Sequence, residues 1–352
     1  MSILVTGGAG FIGSNFIHFS FKKSEETIIN FDSLTYAGNL ANLELFEGND
    51  NYSFIRGTIL DRALVETTLR NFQPRAIIHF AAESHVDRSI HAPSDFIETN
   101  ILGSFNLIDS TYKYWQNLNE DARETFRFIH VSTDEVYGTL NPGEPSFTED
   151  HKYAPNSPYS ASKASSDHIA RAYFHTYQFP SIITNCSNNY GPYQFPEKLI
   201  PLIIHNALSE KLLPIYGDGQ QVRDWLFVED HCAAISAVLK KGIPGQTYNI
   251  GGQNEYTNLA IAQMICSNLD KIKPRKNHKS YQDLITFVDD RPGHDRRYAI
   301  DNSKIEREIG WAPKENFESG LQQTIEWYLN HKNWVESVTS GAYQNWIENQ
   351  YK

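Results

Sequence analysis

Short apolar segments typical of β-strands alternate with longer segments typical of helices over the first half of this chain. The strand-like segments are residues 3–6, 27–31, 52–56, 76–80, 128–132 and 182–186, and the helix-like segments are residues 11–23, 61–72, 93–114 and 158–177. Strands and helices that alternate in this way form a parallel sheet with helices on both faces. The chain is therefore predicted to be an α/β protein built on a doubly wound parallel sheet.

The composition of the chain changes after about residue 186. Segments 188–193 and 213–219 are rich in turn-forming and aromatic residues, which suits a loop-dominated second lobe. We place a first domain at residues 1–186 and a second at 187–352, with the sheet completed by parts of 220–256. An amphipathic helix is expected at 320–329, and the aromatic residues of the tail at 311–352 are expected to pack.

Acidic residues outnumber basic residues. There are 42 Asp and Glu residues against 31 Lys and Arg residues, a formal net charge of −11, and no block of like charge occurs. Because binding to nucleic acid or to a membrane surface needs clustered Lys and Arg, we expect neither as a partner. The expected ligand is a small molecule.

The sequence shows neither a targeting signal nor a cysteine framework. The chain starts directly with a strand-like segment, and no apolar run approaches the roughly 18 residues that would span a membrane, which predicts a cytoplasmic protein. The cysteines Cys186, Cys232 and Cys266 are far apart and lack metal-binding spacing. We therefore expect no disulfide and no metal site.

A glycine-rich turn connects the first strand to the first helix. Its glycines are Gly7, Gly10 and Gly13. This spacing differs from Gly-x-Gly-x-x-Gly but meets the same needs: a tight turn, close approach of the backbone to a pyrophosphate, and a helix N-terminus facing the anion. Many helices begin after such a turn, so its position on the first strand is what favours a dinucleotide-binding loop.

Asp32 ends the second strand, about 20 residues after Gly13. A carboxylate at this place accepts hydrogen bonds from the adenosine ribose and repels a 2′-phosphate. The alternative is an ordinary turn-forming residue before Ser33. Together with the glycine loop, Asp32 predicts NAD rather than NADP as the cofactor.

Tyr159 and Lys163 lie four residues apart in a predicted helix. This spacing places both side chains on one face, where the ammonium and a nicotinamide charge would lower the tyrosine pKa from about 10 and make the phenol a base. Taken alone, such a pair is usually a solvated helix face. Here it follows a dinucleotide loop and a strand ending in Ser132 and Thr133. The whole pattern resembles the extended short-chain dehydrogenase/reductases, in which Tyr, Lys and a strand-end Ser or Thr surround the hydride-transfer centre.

Two adjacent acids, Asp134 and Glu135, follow Thr133 at the carboxyl end of the fifth strand. If a helical turn starts at Thr133, the two carboxyl groups diverge by only about 100° and can reach adjacent carbons of one sugar. In the alternative interpretation, Thr133 caps a short helix and the acids favour its dipole.

Further motifs resemble those of the dTDP-glucose 4,6-dehydratases, a family within the extended short-chain dehydrogenase/reductases. The resemblance covers nearly the whole chain and is carried by residues 6–13, 32–39, 81–89, 132–138, 188–192, 196–201, 223–225 and 290–295. The runs Tyr36-Ala37-Gly38-Asn39, Glu83-Ser84-His85-Val86-Asp87-Arg88 and Thr133-Asp134-Glu135 together are specific to this group.

The resemblance implies a Rossmann-like sheet with a smaller C-terminal substrate-binding lobe, NAD as the cofactor and dTDP-glucose as the substrate of an NAD-dependent lyase. The implied reaction is oxidation at C4, elimination across C5 and C6, and hydride return to C6, which gives dTDP-4-dehydro-6-deoxyglucose and water. Tyr159 would take the proton of the 4-hydroxyl, Glu135 would take the C5 proton, and Asp134 would protonate the departing 6-hydroxyl. A homodimer is also implied, through the helices at 93–114 and 158–177.

The resemblance assigns site residues position by position. The catalytic residues would be Thr133, Asp134, Glu135, Tyr159 and Lys163. The residues that bind NAD would be Gly7, Gly10, Phe11, Ile12, Gly13, Asp32, Ser33, Leu34, Thr35, Thr58, Ile59, Ala81, Ala82, Thr99, Tyr159, Lys163 and Asn189. The residues that bind the nucleotide sugar would be Ser84, Thr133, Asn188, Lys198, Leu199, Pro214, Ile215, Tyr216, Arg223, Asn258, Arg291 and His294.

The chemistry of three assigned residues independently suits a nucleoside diphosphate. Arg223 and Arg291 can pair bidentately with a diphosphate, and Tyr216 offers a flat face to a pyrimidine. For each arginine alone, a surface ion pair is the competing interpretation.

Two positions depart from the family pattern. Thr58 stands where the family has an aspartate that accepts a hydrogen bond from the adenine amino group, and its uncharged hydroxyl should weaken that bond by roughly 1 kcal/mol. Gln194 stands where a histidine is expected.

Two other functions stay open at this point. A 4-epimerase, or another nucleotide-sugar short-chain enzyme, would need Tyr159 and Lys163 but has no use for acids at positions 134 and 135. A non-catalytic NAD-binding protein would need neither the Tyr and Lys pair nor the acid pair.

Overall fold

The structure is a computed structural model and describes residues 2–339. Its strands are β1 (Ser2–Thr6), β2 (Thr27–Asp32), β3 (Tyr52–Arg56), β4 (Ala76–His79), β5 (Arg127–Thr133), β6 (Ser181–Cys186), β7 (Asn188–Tyr190), β8 (Leu213–Tyr216), β9 (Val222–Phe227), β10 (Thr247–Ile250), β11 (Glu255–Thr257) and β12 (Ile285–Val288). Its α-helices are α1 (Phe11–Lys23), α2 (Arg62–Phe72), α3 (Val86–His91), α4 (Pro93–Phe96), α5 (Ser104–Gln116), α6 (Glu120–Thr125), α7 (Pro158–Tyr177), α8 (Leu199–Leu208), α9 (Val228–Lys241), α10 (Asn258–Ile272), α11 (Ser303–Ile309), α12 (Phe317–Asn330) and α13 (Lys332–Thr339). Turns of 3-10 helix lie at Leu40–Phe46, Asp134–Tyr137 and Tyr281–Leu284, and a π-helical segment lies at Ile97–Gly103.

Seven strands form one parallel sheet in the order β10-β6-β5-β4-β1-β2-β3. The chain winds in one direction from β1 to β3 and in the other from β4 onward, so the winding reverses between β1 and β4. In such sheets ligands bind outside the carboxyl ends of the strands at this switch point. The predicted doubly wound, Rossmann-like fold is therefore confirmed, and the glycine loop after β1 lies at the switch point.

The sheet is buried on both faces by separate layers of helices. Ile3 and Val5 of β1 pack in the core that includes residues of α1, α9 and α11. Leu4, which points to the opposite face, packs in the core that includes residues of α2, α5 and α7. Burial on both faces explains why the sheet strands have almost continuous apolar sequences instead of alternating ones.

The remaining strands form two smaller sheets in a second lobe. The first has the order β11-β9-β7 and the second pairs β12 with β8. Residues of α8, α10 and α12 surround a third core, which includes Ile203, Ile265 and Leu321. Within segment 220–256, β10 joins the edge of the main sheet, whereas β9 belongs to the three-stranded sheet. The chain thus returns to the first lobe after it has begun the second.

The predicted helix at 93–114 is divided by the π-helical segment Ile97–Gly103. Asn100 in this segment donates through Nδ2 to the carbonyl of Glu83 at 2.9 Å and to Ser162 Oγ at 2.8 Å. Gly103 lies so close to Ile59 that an added Cβ would be 2.8 Å from that side chain. These contacts join the segment to the loop after β4 and to α7, and a helical periodicity in the sequence does not reveal them.

The predicted helix at 320–329 lies within α12, and Trp327 and Trp334 of the tail pack against the second-lobe core. The rest of the expected tail, residues 340–352, lies outside the described residues. Cys186, Cys232 and Cys266 are buried free thiols. Within residues 2–339 we find no helix long and apolar enough to cross a membrane and no group of three or more side chains suited to hold a metal ion.

Candidate active site

The glycine loop brings the backbone into close contact with itself. Gly7 has a φ of +71°, in the region that favours glycine, and a Cβ added at Gly13 would lie 2.2 Å from the carbonyl oxygen of Gly7. Gly10 is the N-cap of α1 and makes no side-chain cap hydrogen bond. The loop therefore presents bare backbone and a helix N-terminus, as an approaching pyrophosphate requires.

Asp32 is buried at the end of β2, beside the glycine loop. Its Oδ2 accepts a hydrogen bond from the Ala9 N–H at 2.9 Å, and its Oδ1 accepts one from the Leu34 N–H at 2.7 Å. Burial raises the pKa of this carboxyl, and the two backbone hydrogen bonds act against the rise. Each carboxylate oxygen has a second acceptor site, so hydroxyl groups of a ribose can still be bound.

A cavity of about 470 Å³ opens at the carboxyl ends of the central strands. Of the residues predicted to bind NAD, all but one line it: Gly7, Gly10, Phe11, Ile12, Gly13, Asp32, Ser33, Thr35, Thr58, Ile59, Ala81, Ala82, Thr99, Tyr159, Lys163 and Asn189. The exception, Leu34, lies in the wall-forming loop and contributes the N–H that Asp32 accepts. The glycine loop, the acid at the end of β2 and the cavity between them fit a dinucleotide.

Tyr159 and Lys163 lie in the first turns of α7, and both side chains are buried. The helix starts with Pro158 at its first position and with a capping box formed by Ser157 and Ser160. Lys163 Nζ donates to the carbonyl of Val131 in β5 at 2.9 Å. The helix start and this hydrogen bond hold the two side chains against the end of the sheet, in the wall of the cavity.

In the protein alone, the pKa of Tyr159 lies well above its usual value. Burial is the main cause, the Glu135 carboxylate is the next, and a hydrogen bond with Thr133 acts in the opposite direction. Burial also lowers the pKa of Lys163. Burial and the Glu135 carboxylate thus act against the lowering of the tyrosine pKa that the sequence led us to expect.

Thr133 caps a short helical turn, as one of the two interpretations of the sequence expected, and it also lies at the cavity. It is the N-cap of the 3-10 turn Asp134–Tyr137, and its Oγ1 accepts a hydrogen bond from the Glu135 N–H at 3.3 Å. Thr133, Asp134 and Glu135 also line the cavity together with Tyr159. The cap explains how two adjacent acids stay at the end of β5 and face the same space.

The two acids have different electrostatic surroundings. Burial, and after it the charge of Glu135, raises the pKa of Asp134 well above its usual range. Burial also raises the pKa of Glu135, but the positive charges of Arg291, Arg223 and Lys198 act against that rise. Within the described part of the chain, Asp134 Oδ2 is buried and has no hydrogen-bond partner. The pKa of Asp134 is thus raised well above its usual range, whereas cations act against the rise at Glu135, so Asp134 is better suited to act as the acid and Glu135 as the base.

The residues predicted to bind a nucleotide sugar fall into two groups. Ser84, Thr133, Asn188 and Lys198 line the cavity. The others, which lie outside its lining, are Leu199, Pro214, Ile215, Tyr216, Arg223, Asn258, Arg291 and His294. Lys198 Nζ donates to the carbonyl of Ser84 at 2.9 Å and so joins the second lobe to the loop after β4.

Two residues of the second group contact Asp87 of α3, and a third packs against one of them. Arg291 Nη1 lies 2.8 Å from Asp87 Oδ1, and the Tyr216 hydroxyl donates to Asp87 Oδ2 at 3.3 Å. The His294 ring meets the Tyr216 ring edge-on, with centroids 6.2 Å apart. This cluster brings residues from both lobes to one place next to Glu135, whose pKa the charge of Arg291 influences.

The other members of the second group are held by the second lobe itself. Arg223 is buried and donates to the carbonyl of Asp295 at 2.9 Å, so it is not in a surface ion pair. Ile215 is part of the buried core of that lobe. Asn258 starts α10, and its N–H donates to the carbonyl of Gln221 at 3.0 Å. Pro214 lies in β8 and Leu199 begins α8.

Comparison with known proteins places the chain in a family. The model of the GDP-mannose 4,6 dehydratase family matches residues 4–324. The dTDP-glucose 4,6-dehydratase of Salmonella typhimurium is 56% identical over 360 aligned positions, which cover 100% of this chain and 99% of that protein. This chain belongs to the dTDP-glucose 4,6-dehydratase family.

Solved structures of such dehydratases have the same fold. The dTDP-glucose 4,6-dehydratase of Bacillus anthracis, in complex with NAD, is 48% identical with a TM-score of 0.85, covering 96% of this chain and 99% of its own. The dTDP-glucose 4,6-dehydratase of Streptomyces venezuelae, with NAD bound, is 44% identical with a TM-score of 0.87, covering 96% and 100%. The cavity fits a dinucleotide, and these two related dehydratases contain NAD. This dehydratase is therefore an NAD-dependent hydro-lyase.

The two positions at which this dehydratase departs from the expected pattern both line the cavity. Thr58 is exposed, and its Oγ1 accepts a hydrogen bond from the Leu60 N–H at 3.3 Å. Gln194 is buried, and its Nε2 donates to the carbonyl of Asn189 at 2.9 Å. Gln194 therefore contacts a residue predicted to bind the cofactor, which the sequence did not indicate.

Some residues that line the dehydratase cavity were not assigned a role from the sequence. They include Glu83, Cys186, Phe195 and Glu197. Glu83 lies within one of the group-specific runs, and Glu197 lies within segment 196–201, so both stood in motifs that were recognised. The sequence signal for Glu197 was an acid between a proline and a lysine. It did not reveal a role, because the partners of Glu197 are distant in sequence.

Proposed function

We propose that this chain converts dTDP-glucose into dTDP-4-dehydro-6-deoxyglucose and water, and that the residues of the cavity carry out the proton transfers. The observation that carries the proposal is the acid pair of buried Asp134 and half-buried Glu135 beside Tyr159 and Lys163, in one cavity with the glycine loop. An oxidation at C4 alone needs only the tyrosine and the lysine. The acid pair supplies what the elimination of water additionally needs.

Tyr159 is the base for the first step. NAD held by the glycine loop and Asp32 supplies the hydride acceptor at C4, the later hydride donor at C6 and a positive charge beside the phenol. Tyr159 Oη takes the proton of the 4-hydroxyl, with the Thr133 hydroxyl as its hydrogen-bond partner. Lys163 places a second positive charge on the same helix face.

Asp134 and Glu135 act on adjacent carbons in the second step. The ketone at C4 acidifies C5, and Glu135, whose ionised form is favoured by Arg291, Arg223 and Lys198, removes the C5 proton. Asp134, whose protonated form is favoured by burial and by the charge of Glu135, protonates the departing 6-hydroxyl. Both pKa values are raised, but that of Asp134 is raised well above its usual range, so Asp134 suits the acid role and Glu135 the base role.

The second lobe binds the nucleoside diphosphate. Lys198, Arg223 and Arg291 are the cations near Glu135, and arginines suit the oxygens of a diphosphate. Tyr216 lies in the Asp87 cluster, and an aromatic ring of this kind suits a pyrimidine. Because this lobe also meets the loop after β4 through Lys198, binding of the diphosphate places the sugar over the acid pair.

The experiment is incubation of the purified protein with dTDP-glucose, followed by alkali and measurement of the absorbance of a 4-keto sugar. The proposal expects this absorbance to appear with the protein and not without it. A protein that instead yields dTDP-galactose would be a 4-epimerase. A protein that binds NAD and leaves the sugar unchanged would be a binding protein only, and either result contradicts the proposal.

A homodimer is the proposed assembly. Ile97, Leu102 and Phe105 are 44%, 52% and 40% exposed on consecutive turns of the helix that runs from α4 to α5, and Tyr177 of α7 is 47% exposed. Exposed apolar side chains of this size are typical of an interface. Sedimentation equilibrium should give twice the chain mass of 40.2 kDa, and Leu102→Lys should shift the protein toward the monomer. A monomeric wild-type protein at micromolar concentration would contradict this assembly.

A cytoplasmic location is part of the same proposal. NAD and nucleotide sugars are cytoplasmic metabolites, and the three cysteines are unpaired thiols, as is usual in reducing compartments. Fractionation of cells that produce the protein should recover it with the cytoplasmic fraction, and recovery in another compartment would contradict this part.

A further inference from the structure

Three side chains outside the proposed chemistry form a compact cluster. The Tyr36 hydroxyl donates to Glu197 Oε1 at 2.9 Å. The Arg88 guanidinium lies over the Tyr36 ring, 3.6 Å from its centroid, and Arg88 Nε lies 3.4 Å from Glu197 Oε2. Each of the three residues therefore contacts the other two, and we call Tyr36, Arg88 and Glu197 the clasp.

The clasp joins three segments that are distant in sequence and that border the same cavity. Tyr36 belongs to the loop after β2, whose neighbours Thr35, Ala37 and Gly38 line the cavity. Arg88 belongs to α3, which follows the lining loop at Glu83. Glu197 precedes α8 and lines the cavity itself. The contact between Tyr36 and Glu197 thus closes one side of the space in which the cofactor fits.

The burial of Glu197 gives its contact with Tyr36 energetic weight. Its side chain is only 2% exposed, so a carboxylate lies in a nearly dry environment and depends on its partners. If the loop after β2 moved away, Glu197 would lose the Tyr36 hydrogen bond and would have to be satisfied by other partners. Loss of one partner of a buried charge costs more than loss of an exposed contact. The Glu197 carboxylate therefore favours the arrangement in which the Tyr36 hydroxyl is bound to it.

A second contact supports the same loop position. The rings of Tyr36 and Phe195 meet edge-on, with centroids 5.7 Å apart, and Phe195 also lines the cavity. Burial, followed by the charge of Glu197, raises the pKa of Tyr36 well above its usual value. Tyr36 consequently stays a neutral hydrogen-bond donor across the pH range in which the protein would work.

We propose that the clasp retains the nicotinamide cofactor in the cavity between the two halves of the reaction. This inference rests on the proposed function, in which the hydride taken from C4 returns to C6 of the same sugar. Loss of the reduced cofactor before the return would leave an enzyme without its cofactor and a sugar without its hydride. Tyr36, Arg88 and Glu197 are positioning residues, because they act through the loops that enclose the cavity.

The test measures how fast the cofactor leaves. The wild-type protein and the variants Tyr36→Phe, Glu197→Gln and Tyr36→Phe/Glu197→Gln are loaded with radiolabelled NAD and chased with excess unlabelled NAD. Tyr36→Phe should raise the dissociation rate constant about tenfold, as expected for loss of one hydrogen bond to a charged group. Glu197→Gln keeps an acceptor oxygen for the Tyr36 hydroxyl but loses the charge that strengthens this bond and pairs with Arg88, so it should also raise the rate constant. The effect of the double variant should be smaller than the two single effects combined, since both changes act on the same contact.

Tyr256→Phe is the matched control. The Tyr256 hydroxyl donates to Glu318 Oε1 at 3.0 Å on the surface of the second lobe, so this change removes the same kind of hydrogen bond away from the cavity. Its dissociation rate constant should stay within about twofold of the wild type. Rates for Tyr36→Phe within the same range would overturn the proposal, as would a fall in melting temperature without faster release.

A second measurement separates the clasp from the proposed function. During turnover of dTDP-glucose without added NAD, the clasp variants should release reduced cofactor into the filtrate and lose activity progressively, and added NAD should restore it. Filtrate and progress curves identical to those of the wild type would overturn the clasp. A wild-type protein that fails to convert dTDP-glucose would contradict the proposed function, whereas the NAD chase would still report on the clasp.

Discussion

At the scale of single residues, the decisive feature is that adjacent side chains have different surroundings. Asp134 is buried and its pKa is affected by the charge of Glu135, whereas the pKa of Glu135 is affected by three cationic side chains. The same backbone turn therefore holds two carboxyl groups with raised pKa values, and positive charges act against the rise mainly at Glu135. Tyr159 differs from both, since burial makes it a poor base until a positive charge enters the cavity.

Tyr159→Phe should bind the substrate nearly as the wild type does but lose most of its turnover. The phenol is the only proposed proton acceptor for the 4-hydroxyl, and a positioned base contributes about 10²–10⁴-fold. Measurement of kcat, together with a substrate Kd from equilibrium titration, checks this. A variant with a nearly normal kcat would remove Tyr159 from the mechanism.

Asp32 should make the protein prefer NAD over NADP. Its carboxylate is buried beside the glycine loop, so a 2′-phosphate there would meet a like charge in a partly desolvated pocket. Titration of both oxidised cofactors into protein stripped of nucleotide measures the preference. Equal affinities would show that Asp32 only shapes the loop through its hydrogen bonds to Ala9 and Leu34.

At the scale of elements, α7 carries the tyrosine and the lysine, and its start is set by local chemistry. Ser157 accepts a hydrogen bond from the Ser160 N–H at 3.0 Å, and Ser160 Oγ accepts one from the Ser157 N–H at 3.0 Å. Both hydrogen bonds satisfy donors that a helix N-terminus otherwise leaves without partners. The position of the catalytic pair therefore depends on a cap that can be removed by mutation.

Ser157→Ala should lower the free energy of unfolding by about 1 kcal/mol, the usual cost of losing an N-cap. The matched control is Ser165→Ala in the same helix, where a half-buried serine donates back to the carbonyl of Ala161 and loss of its hydroxyl should be nearly neutral. Urea unfolding followed by circular dichroism gives both values. Equal midpoints for the two variants would mean that the cap does not stabilise α7.

The elements themselves were largely predictable from the sequence because their signals are local. The strands of the parallel sheet appear as short apolar runs, and Asp61, expected to start the second helix, is the N-cap of α2. The π-helical segment Ile97–Gly103 was not predictable, since it depends on hydrogen bonds of Asn100 to Glu83 and Ser162. The hydrophobic periodicity of a sequence does not indicate such contacts.

At the scale of the whole molecule, the site is assembled across large distances in sequence. Arg291 meets Asp87 across 204 positions, and Tyr36 meets Glu197 across 161. The resemblance indicated that these segments belong to motifs of the family, but it did not predict which of their side chains are in contact. Some residues predicted to bind the nucleotide sugar line the cavity. Others, such as Arg223, lie outside its lining and are bound within the second lobe.

The central claim is that Asp134 and Glu135 perform the elimination as acid and base, and single-turnover analysis of Asp134→Asn and Glu135→Gln in D₂O tests it most directly. Absorbance of the enzyme-bound reduced cofactor and mass analysis of deuterium at C5 are followed together. Both variants should accumulate the oxidised sugar, with losses in kcat of about 10²–10⁴ and smaller effects on binding. Asp134→Asn should still exchange C5 with solvent because Glu135 is intact, whereas Glu135→Gln should take up little deuterium. Dehydration at wild-type rates by both variants would mean that the two acids only stabilise the turn after β5, and would contradict the account.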